Sequence, residues 1–330
     1  MRPPDCSVVI PTFNGRRLLE TCLASILRHA PRDLVIEVIV ADDASTDGTA
    51  EWLDERYSWV RVVRLEANAG FCAAANSGIA AALGPFVQLL NNDTEVCPGW
   101  IEGGLAPFDD SKVGSVAPLV LVRSDPSRVD SAGDSYALVG WPSKRGHGEP
   151  AANWTERSDE RVFGASGSSA FYRTSAIRSV GGFDPAFGSY YEDVDLAFRL
   201  RWAGYHAVFT PRSRVFHEVS ASYDHTRPEL QRRMSRNAEI LFWTDLPLRW
   251  IAAAFLPHLA FIVGQAAWRI LRRRARPFLL GKLDALRDWK RLANRRRLRH
   301  DLAHAPVARP YFPIKVGLMG DVRNHLRRPR

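Results

Sequence analysis

The sequence is poor in cysteine, and it lacks an apolar segment near its start. The four cysteines have no Cys-x-x-Cys spacing, so neither a zinc site nor a disulfide framework is indicated; they are Cys6, Cys22, Cys72 and Cys97. Reduced thiols of this kind suit the cytoplasm. Residues 1–5 lead directly into a strand-like run, so we expect no signal region that would send the chain across a membrane. No internal repeat is visible in the sequence.

The amino-terminal half contains a regular alternation of short apolar runs and amphipathic segments. Apolar runs bounded by polar or glycine-containing segments predict strands, and helical spacing of apolar residues predicts helices. The expected strands are residues 7–10, 35–41, 60–65, 85–90 and 113–121. The expected helices are residues 16–29, 49–56 and 72–83. Strands and helices that alternate at this length predict a mostly parallel sheet with helices on both faces.

Asp93 comes just after the apolar run 85–90, where a parallel sheet presents side chains to a ligand beyond the carboxyl ends of its strands. A carboxylate there would hold Mg²⁺ or Mn²⁺ against the phosphates of a nucleotide. Such ions usually take only one or two protein carboxylates plus substrate oxygens. An ordinary strand-ending turn is the alternative, because Asn91-Asn92-Asp93 is typical turn composition.

The second expected strand also ends in a polar segment, residues 42–48. Residues 45–47 suit the start of the helix that follows. Asp42 and Asp43 are not needed for that helix start, and they lie where the strand opens into the same crevice. We therefore expect one of them to accept a hydrogen bond from a nucleobase imide or a ribose hydroxyl.

Four segments in this order, residues 9–14, 40–48, 68–76 and 90–93, resemble the motifs of family 2 glycosyltransferases. The resemblance extends from about residue 7 to residue 222. It implies an α/β protein with the A-type glycosyltransferase fold, in which helices flank a mostly parallel, Rossmann-like sheet, and a nucleotide-activated sugar as substrate. The family's usual Asp-x-Asp metal motif begins here with Asn91, as in the branch of rhamnosyl- and galactofuranosyltransferases. The resemblance thus implies a metal ligand from elsewhere in the chain.

The resemblance also implies which residues bind the donor. The positions that match are Pro11, Thr12, Asn14, Asp42, Asp43, Asn68, Asn76 and Asn92. Among these, Asn68 and Asn76 would support the floor of the site. Residues 163–173 are rich in small side chains, which allow backbone amides to approach a ligand closely. By resemblance, this segment lines the floor between donor and acceptor.

The acidic segment Glu192-Asp193-Val194-Asp195 opens a helix that we expect to run to about Ala203. Carboxylates near a helix amino terminus are favoured by the macrodipole, typically by about 0.3 to 1 kcal/mol, which accounts for at least one of the three. By resemblance, the Glu192-Asp193 pair is catalytic and Asp193 is the base. A base that removes the proton of an attacking hydroxyl contributes roughly 10² to 10⁴ in rate, so an enzyme of this type should have one.

His217 follows two strand-like segments, residues 207–210 and 213–216. A lone histidine after a strand is commonly a structural residue. Here the order His217, Glu218, Ser220, Ser222 resembles the family segment in which a histidine completes the metal shell, and imidazole is acceptable to Mn²⁺. His217 is therefore a candidate metal ligand together with Asp93.

Residues 122–161 are polar and show no clear periodicity. Such a segment is uncommon inside a compact domain unless it is a binding loop or a lid. Tyr136, Trp141 and Trp154 could stack on sugar faces, or they could form a small core that anchors the loop. We favour the second interpretation.

The carboxyl-terminal region contains an apolar stretch followed by a strongly basic one. Residues 250–268 have no formal charge when His258 is neutral and begin and end with tryptophan, whereas residues 269–299 contain thirteen Lys or Arg in a chain of net charge +9. The apolar stretch just reaches the ~20 residues that span a bilayer, but Pro257, His258 and Gln265 interrupt it. Helices in the membrane interface, a span, and a buried or dimer-forming helix pair all stay open. Anionic lipid suits the basic stretch, and nucleic acid fits poorly beside the apolar one.

We therefore expect a nucleotide-sugar-binding catalytic domain over residues 1–225 and a helical, basic, membrane-contacting region over residues 226–330. The expected activity is inverting transfer of a sugar from dTDP-rhamnose or a UDP-sugar to a lipid-linked glycan or polysaccharide, with Mn²⁺ or Mg²⁺, at the cytoplasmic face of the cell membrane. Two alternatives lack catalysis. One is a chain that binds a sugar nucleotide without turnover, and the other is a basic membrane or nucleic-acid adaptor. The dimer-forming helix pair leaves a homo-oligomer open.

Overall fold

The computed structural model describes residues 2–218 and 227–303, so Ser220, Ser222 and residues 304–330 lie outside the described part. Its strands are β1 (Cys6–Thr12), β2 (Ile36–Asp42), β3 (Val60–Arg64), β4 (Phe86–Leu90), β5 (Thr94–Val96), β6 (Val113–Val122), β7 (Asp125–Ser131), β8 (Asp134–Ala137), β9 (Trp141–Lys144), β10 (Glu160–Val162), β11 (Ser169–Arg173) and β12 (His206–His217). Its α-helices are α1 (Arg16–Arg28), α2 (Thr49–Arg56), α3 (Phe71–Ala81), α4 (Trp100–Leu105), α5 (Ala152–Thr155), α6 (Thr174–Ser179), α7 (Glu192–Trp202), α8 (Pro228–Asp245), α9 (Leu248–Leu271), α10 (Ala275–Arg287) and α11 (Trp289–Ala303).

One large sheet runs through the described residues in the order β10-β12-β6-β11-β4-β1-β2-β3, with β5 added to β12 and β7 added to β6. The four strands β3, β2, β1 and β4 are parallel to one another, as the alternating pattern predicts. Antiparallel pairing begins at β11, which lies between β4 and β6. The predicted α/β architecture with helices flanking the sheet is confirmed, and the second half of the sheet is mixed.

Apolar side chains cover both faces of the sheet. Along β1, Val9 packs into one core cluster, while Val8 and Ile10 pack into the other, because successive side chains of a strand point to opposite faces. On one face α3 lies so close that a Cβ on Gly78 would be 2.4 Å from a methyl carbon of Val9. With both faces covered, a ligand reaches the parallel strands only at their ends.

Residues 122–161 form ordered structure, so the prediction of an irregular loop or lid is wrong. β7 pairs with β6, β8 pairs with β9, and β10 pairs with β12. The alternation was hidden in the sequence because two buried strand positions hold the carboxylates Asp130 and Asp134 rather than apolar residues. Tyr136 and Trp154 are buried core residues, as we favoured.

The two segments predicted around residue 210 form one long strand, β12. Its register against β6 shifts between Thr210 and Arg214, which is the irregularity that made the sequence look like two strands. Past this bulge the strand also pairs with β5, and His217 lies opposite Thr94. β12 therefore brings its last residue next to the segment that follows β4.

The helices after residue 227 pack back onto the rest of the protein. α8 and α11 contact α7, and α10 contacts α8. α9 continues through Pro257, and it is the one helix in the described ranges that is long and apolar enough to cross a membrane. Its middle is fixed to the domain by His258, whose Nδ1 lies 2.8 Å from the carbonyl oxygen of Val139 and whose ring stacks on Phe242 at 3.6 Å.

Candidate active site

The loops that follow β1, β2 and β4 meet at one edge of the sheet, as predicted. The side-chain amide of Asn92 donates to Thr12 Oγ1 at 2.9 Å, which joins the β4 and β1 loops. Asn14 Oδ1 accepts from the backbone N–H of Thr46 at 2.8 Å, which joins the β1 and β2 loops. Gly15 is required here, because a Cβ at this position would lie 2.3 Å from the amide nitrogen of Asn92. Together these contacts form a crevice at the strand ends, which we call the donor crevice.

Asp42 and Asp43 lie beside this crevice but differ in what remains available on each carboxylate. Both oxygens of Asp43 accept backbone hydrogen bonds, from Ala69 at 2.7 Å and from Gly70 at 2.8 Å, so its side chain shapes the neighbouring loop. Asp42 is buried, and its Oδ2 makes no hydrogen bond within the described structure. The Nε of Arg64 lies 3.5 Å from that oxygen. Of the two carboxylates, Asp42 has the oxygen without a hydrogen bond, although its side chain is fully covered by other protein atoms.

The remaining residues matched to nucleotide binding are spread more widely. Pro11 is buried in β1 beside Ala41, and Asn68 is exposed. Asn76 forms two hydrogen bonds with the backbone of Phe183, donating to its carbonyl at 2.7 Å and accepting from its N–H at 2.8 Å. These bonds occupy the amide, so Asn76 fixes the loop that precedes α7.

Asp93 and His217 come together, as expected for two ligands of one ion. His217 Nε2 lies 3.3 Å from Asp93 Oδ1, and its Nδ1 lies 3.0 Å from Asp130 Oδ2. Burial lowers the pKa of His217, but the hydrogen bond with Asp130 and the nearby carboxylate of Asp93 outweigh it and raise the pKa to about 9. Asp130 was missed by the sequence analysis, since no motif marks it.

This arrangement fits a divalent cation with few protein ligands. No cluster of three or more His, Cys, Asp or Glu side chains suited to a metal occurs in the described ranges 2–218 and 227–303. However, Asp93 Oδ1 is buried without a hydrogen bond. Its 3.3 Å distance from His217 Nε2 is near the roughly 3 Å between neighbouring ligands of an octahedral ion with ~2.1 Å bonds. Asp130 on the far ring nitrogen would orient the imidazole, as carboxylates do behind metal-bound histidines.

The predicted base, Asp193, lies at the start of α7. Residues 163–173, which we call the floor segment, separate it from the donor crevice. Asp193 Oδ2 accepts from the backbone N–H of Gly167 at 2.8 Å, and its Oδ1 accepts from the N–H of Val194 at 2.8 Å. The same floor segment is bonded to the β4 loop, because the N–H of Asn91 donates to the carbonyl of Ser168 at 3.0 Å. Two hydrogen bonds through residues 167 and 168 thus connect the metal-side loop to Asp193.

Three carboxyl groups cluster here, of which Glu192 and Asp134 are buried and Asp193 is half-buried. Burial raises the pKa of Glu192 well above its ordinary value, and the charge of Asp193 raises it further. Burial likewise raises the pKa of Asp134, a residue that the sequence analysis did not single out, and again Asp193 adds to the effect. Burial also raises the pKa of Asp193, but the N–H groups of Gly167 and Val194 oppose the rise. Of the three, Asp193 is the carboxylate whose ionised form is stabilised by two backbone N–H groups, which makes it the candidate base.

The third acidic residue of the segment, Asp195, has a structural role. It is fully buried and pairs with Arg199 at 2.6 Å, Arg295 at 2.5 Å and Arg299 at 2.6 Å. Burial alone would raise the pKa of Asp195, but the three guanidinium groups hold it below its usual range. Arg295 and Arg299 belong to α11, so part of the basic stretch assigned to lipid contact is instead buried against the catalytic helix.

The turn before α7 is strained and is held by a residue of α8. Tyr190 and Tyr191 both have a φ of 69°, a left-handed conformation that is unusual for bulky side chains. The side-chain amide of the buried Asn237 donates to the carbonyls of Phe187 at 3.0 Å, Ser189 at 3.2 Å and Tyr190 at 2.8 Å. Asn237 therefore sets the conformation from which Glu192 and Asp193 project.

Comparison with known proteins agrees with this geometry. The family model described as glycosyl transferase family 2 matches residues 7–181. The chain is 30% identical over 307 residues to the N-acetylglucosaminyl-diphospho-decaprenol L-rhamnosyltransferase of Mycobacterium tuberculosis, and the match covers 83% of this chain and 98% of that protein.

Two solved structures share the architecture. The mannosyltransferase PcManGT from Pyrobaculum calidifontis, in complex with GDP-Man and Mn²⁺, matches with a TM-score of 0.54 at 19% identity over 92% of this chain and 87% of that one. S. aureus TarS 1–349 in complex with UDP-GlcNAc matches with a TM-score of 0.56 at 18% identity over 91% and 89%. At such identities the likeness concerns the fold, and it confirms the predicted A-type glycosyltransferase fold.

Proposed function

The chain is a glycosyltransferase that belongs to glycosyl transferase family 2, and from this premise we propose that it transfers L-rhamnose from a dTDP donor to a lipid-linked N-acetylglucosamine with inversion. A UDP-sugar is the next donor to consider. The mycobacterial relative, named for rhamnosyl transfer to N-acetylglucosaminyl-diphospho-decaprenol, aligns over 98% of its own length and 83% of this chain. That alignment supports the choice of sugar and acceptor.

The observation that carries the proposed mechanism is the position of Asp193. Its carboxylate accepts a hydrogen bond from the backbone N–H of Gly167 in the floor segment. Burial raises the pKa of Asp193, but less than it raises the pKa of Glu192. We assign Asp193 to take the proton of the acceptor hydroxyl as that oxygen attacks the anomeric carbon. Attack from the face opposite the leaving nucleotide, in one displacement, inverts the configuration.

The donor crevice would hold the nucleotide through Thr12, Asn14 and Asp42. Asp93 and His217 would hold Mn²⁺ or Mg²⁺, with Asp130 fixing the imidazole. When bound, the ion supplies Lewis-acid stabilisation to the departing diphosphate.

We further propose that the protein is peripheral to the cytoplasmic face of the membrane, through α9. Apolar side chains on the outer face of this helix are exposed, including Phe255, Leu259 and Val263. The opposite face is fixed to the domain through the buried His258, which favours a helix lying in the interface over a span. A lipid-linked acceptor would place its sugar at such a surface.

The test is a donor panel offered to the full-length protein with N-acetylglucosaminyl-diphospho-prenol and Mn²⁺. We expect dTDP-rhamnose to give the disaccharide product with release of dTDP, and other donors to give less. Release of free rhamnose without disaccharide, or preference for another donor, would contradict the proposed reaction. The anomeric configuration of the transferred sugar, determined by NMR and compared with that of the donor, decides between inversion and retention.

The metal assignment has its own test in donor binding. Asp93→Ala should weaken dTDP binding by roughly tenfold when Mn²⁺ is present and much less when a chelator is present, because Asp93 would hold the ion that neutralises the diphosphate. Glu95→Ala, two residues away, is the matched control and should bind like the parent. If the parent binds dTDP equally well with and without a chelator, the assignment of Asp93 and His217 as metal ligands is wrong.

A further inference from the structure

A second cavity borders the active site on the side away from the donor crevice. It has a volume of about 620 Å³ and lies between the β8–β9 hairpin and helices α8, α9 and α10. This volume is within the roughly 300–1,000 Å³ of small-molecule sites. Two of its wall residues adjoin catalytic groups: Asp130 contacts His217, and Tyr191 precedes Glu192. The cavity, which we call the helix cavity, therefore borders the start of α7 and the partner of His217, and none of the donor loops lines it.

α9 is the wall that separates the helix cavity from the outer surface. The residues of α9 that line the cavity recur every three or four positions, as one helix face does; they are His258, Phe261, Ile262, Gln265 and Arg269. The side chains of Phe255, Leu259 and Val263 are exposed on the other side. On the inner wall, the rings of Trp141 and Phe261 meet edge to face at 5.7 Å. α9 therefore has apolar side chains both toward the cavity and on its outer surface.

One cation in this wall lacks an anion. Lys144 pairs with Asp130 at 2.8 Å, and Lys282 pairs with Glu239 at 2.6 Å. Arg269 has no carboxylate partner among the described residues, and its Nε is buried without a hydrogen bond. A guanidinium in this state has free donors in a rigid fork, which matches the oxygens of a phosphate or diphosphate.

We propose that the helix cavity is the subsite for the prenyl diphosphate part of the acceptor. Arg269, whose guanidinium lies over the ring of the buried Phe278 at 4.8 Å, binds the diphosphate, and the rings of Trp141 and Phe261 pack against the first prenyl units. The sugar attached to the diphosphate then lies near Tyr191 and the catalytic pair, while the rest of the lipid leaves toward the outer face of α9. This proposal rests on the proposed function, because it takes the acceptor to be lipid-linked.

Binding of farnesyl diphosphate to the full-length protein in detergent, measured by calorimetry, tests the subsite. We expect saturable binding that Arg269→Gln weakens about tenfold or more, because charge-assisted hydrogen bonds to the diphosphate are lost. Ile262→Trp fills the cavity without changing charge and should also weaken binding. Arg272→Gln removes an equal charge from an exposed position three residues away, and it should bind like the parent.

Two simpler probes separate the parts of the ligand. Farnesol and inorganic pyrophosphate should each bind more weakly than farnesyl diphosphate. Pyrophosphate binding as tight as that of farnesyl diphosphate would overturn the prenyl assignment. Unchanged farnesyl diphosphate affinity in Arg269→Gln and in Ile262→Trp would overturn the subsite.

Turnover distinguishes failure of the subsite from failure of the proposed function. Arg269→Gln should raise the KM for the lipid diphosphate acceptor and leave the KM for the donor unchanged. Normal acceptor KM in an active Arg269→Gln enzyme would overturn the subsite while the proposed function stands. Absence of transfer to any lipid-linked acceptor, combined with Arg269-dependent binding of farnesyl diphosphate, would support a prenyl diphosphate site and overturn the assigned reaction.

Discussion

The donor crevice and α7, the helix that carries the proposed base, are held in place by different means. In the donor crevice, hydrogen bonds join loops whose strands are neighbours in the sheet, such as the bond from Asn92 to Thr12. Around α7, the supporting side chains come from helices near the carboxyl end, namely Asn237 on α8 and Arg295 and Arg299 on α11. The first region is positioned by the sheet, and the second is positioned by helices that pack onto it later in the chain.

This difference separates binding from catalysis. The pair of residues that fixes the strained turn, Asn237 and Tyr190, is 47 positions apart, and the ion pair of Asp195 with Arg299 spans 104 positions. Substitutions in the carboxyl-terminal helices should thus disturb the catalytic carboxylates while leaving the donor crevice intact. Each prediction below tests that separation.

The largest expected effect is on turnover, from Asp193→Asn. The amide keeps the shape of the side chain and loses its basicity, so we expect transfer to fall by roughly 10² to 10⁴. Donor binding, measured by the thermal shift that a nucleotide produces, should be retained, because the donor crevice does not depend on this residue.

Glu192→Gln is the matched control for that experiment. Burial raises the pKa of Glu192 and so favours its protonated form, which an amide resembles, and we expect activity within about tenfold of the parent. A large loss in Glu192→Gln together with near-normal turnover in Asp193→Asn would reverse the assignment of the base.

The next effect is on stability, from Arg299→Met. This change leaves the buried carboxylates of Asp195 and Asp245 with one partner fewer, and breaking a buried pair in this way typically costs about 3 to 5 kcal/mol. Urea denaturation measures the difference in free energy of unfolding. Arg297→Met removes an exposed arginine from the same helix and should cost about 0.5 kcal/mol or less. Equal losses in the two variants would contradict the buried role of Arg299.

The same ion pairs give this prediction a pH dependence. The pKa of Asp195 is lower in the folded protein than the ordinary value near 4, so its contribution to stability is present above about pH 4 and is lost as the pH falls through the lower folded value. Burial raises the pKa of Asp245 to about 6, so this carboxyl is neutralised first as the pH falls. The difference in free energy of unfolding between the parent and Arg299→Met should therefore begin to narrow near pH 6 and narrow further below about pH 4.

Much of the donor crevice was predictable from the sequence, and the surroundings of α7 were not. Thr12, Asn92 and Asp93 follow strand ends directly, and parallel strands bring their carboxyl ends to one edge, so order along the chain predicted their proximity. The pairing of Asp93 with His217 was also expected. Asn76 shows the limit of such motifs, because its amide serves the backbone of Phe183.

The residues that sequence analysis missed share one physical property. Asp130, Asp134 and Asn237 are buried polar residues whose partners are distant in sequence, and nothing in their local composition signals this. The number of basic residues in the stretch 269–299 predicted lipid contact for all of them, and for two of them this was wrong for the same reason. Arg295 and Arg299 look like members of a solvated basic stretch until their carboxylate partners on other elements are known.

A smaller effect is expected from Asn237→Asp. The carboxylate has the same shape but cannot donate to the carbonyls of Phe187, Ser189 and Tyr190, so the strained turn loses its support. Losing buried hydrogen bonds of this kind costs about 1 to 3 kcal/mol. We expect lower kcat with an unchanged KM for the donor. Asn294→Asp, on the exposed side of α11, should change neither, and an increased donor KM in Asn237→Asp would break the separation of the two regions.

The smallest effect per residue is expected in binding to anionic membranes. Exposed arginines should contribute to this binding, whereas the buried arginines contribute to the stability of the fold. Each basic residue near an anionic surface contributes up to about 1 kcal/mol, and salt screens that contribution, whereas apolar burial is insensitive to salt. The exposed positions to replace with Gln are Arg272, Arg273, Arg274 and Arg276. That variant should shift from phosphatidylglycerol vesicles to solution at low salt, as measured by sedimentation.

The apolar face of α9 should contribute to the same binding in a different way. Polar residues at Phe255, Leu259 and Val263 should release the protein more completely, at low and at high salt alike, because these side chains are exposed on the outer face whereas Ile262 faces the helix cavity. Both variants should keep their thermal shift with donor, since the donor crevice lies on the sheet. A charge-matched control replaces exposed arginines of the amino-terminal half, Arg17, Arg28, Arg32 and Arg56, and should stay bound. If the parent does not sediment with anionic vesicles at low salt, the membrane assignment is wrong. The exposed apolar face of α9 would then pack against a second copy of the chain, which a measurement of the oligomeric state tests.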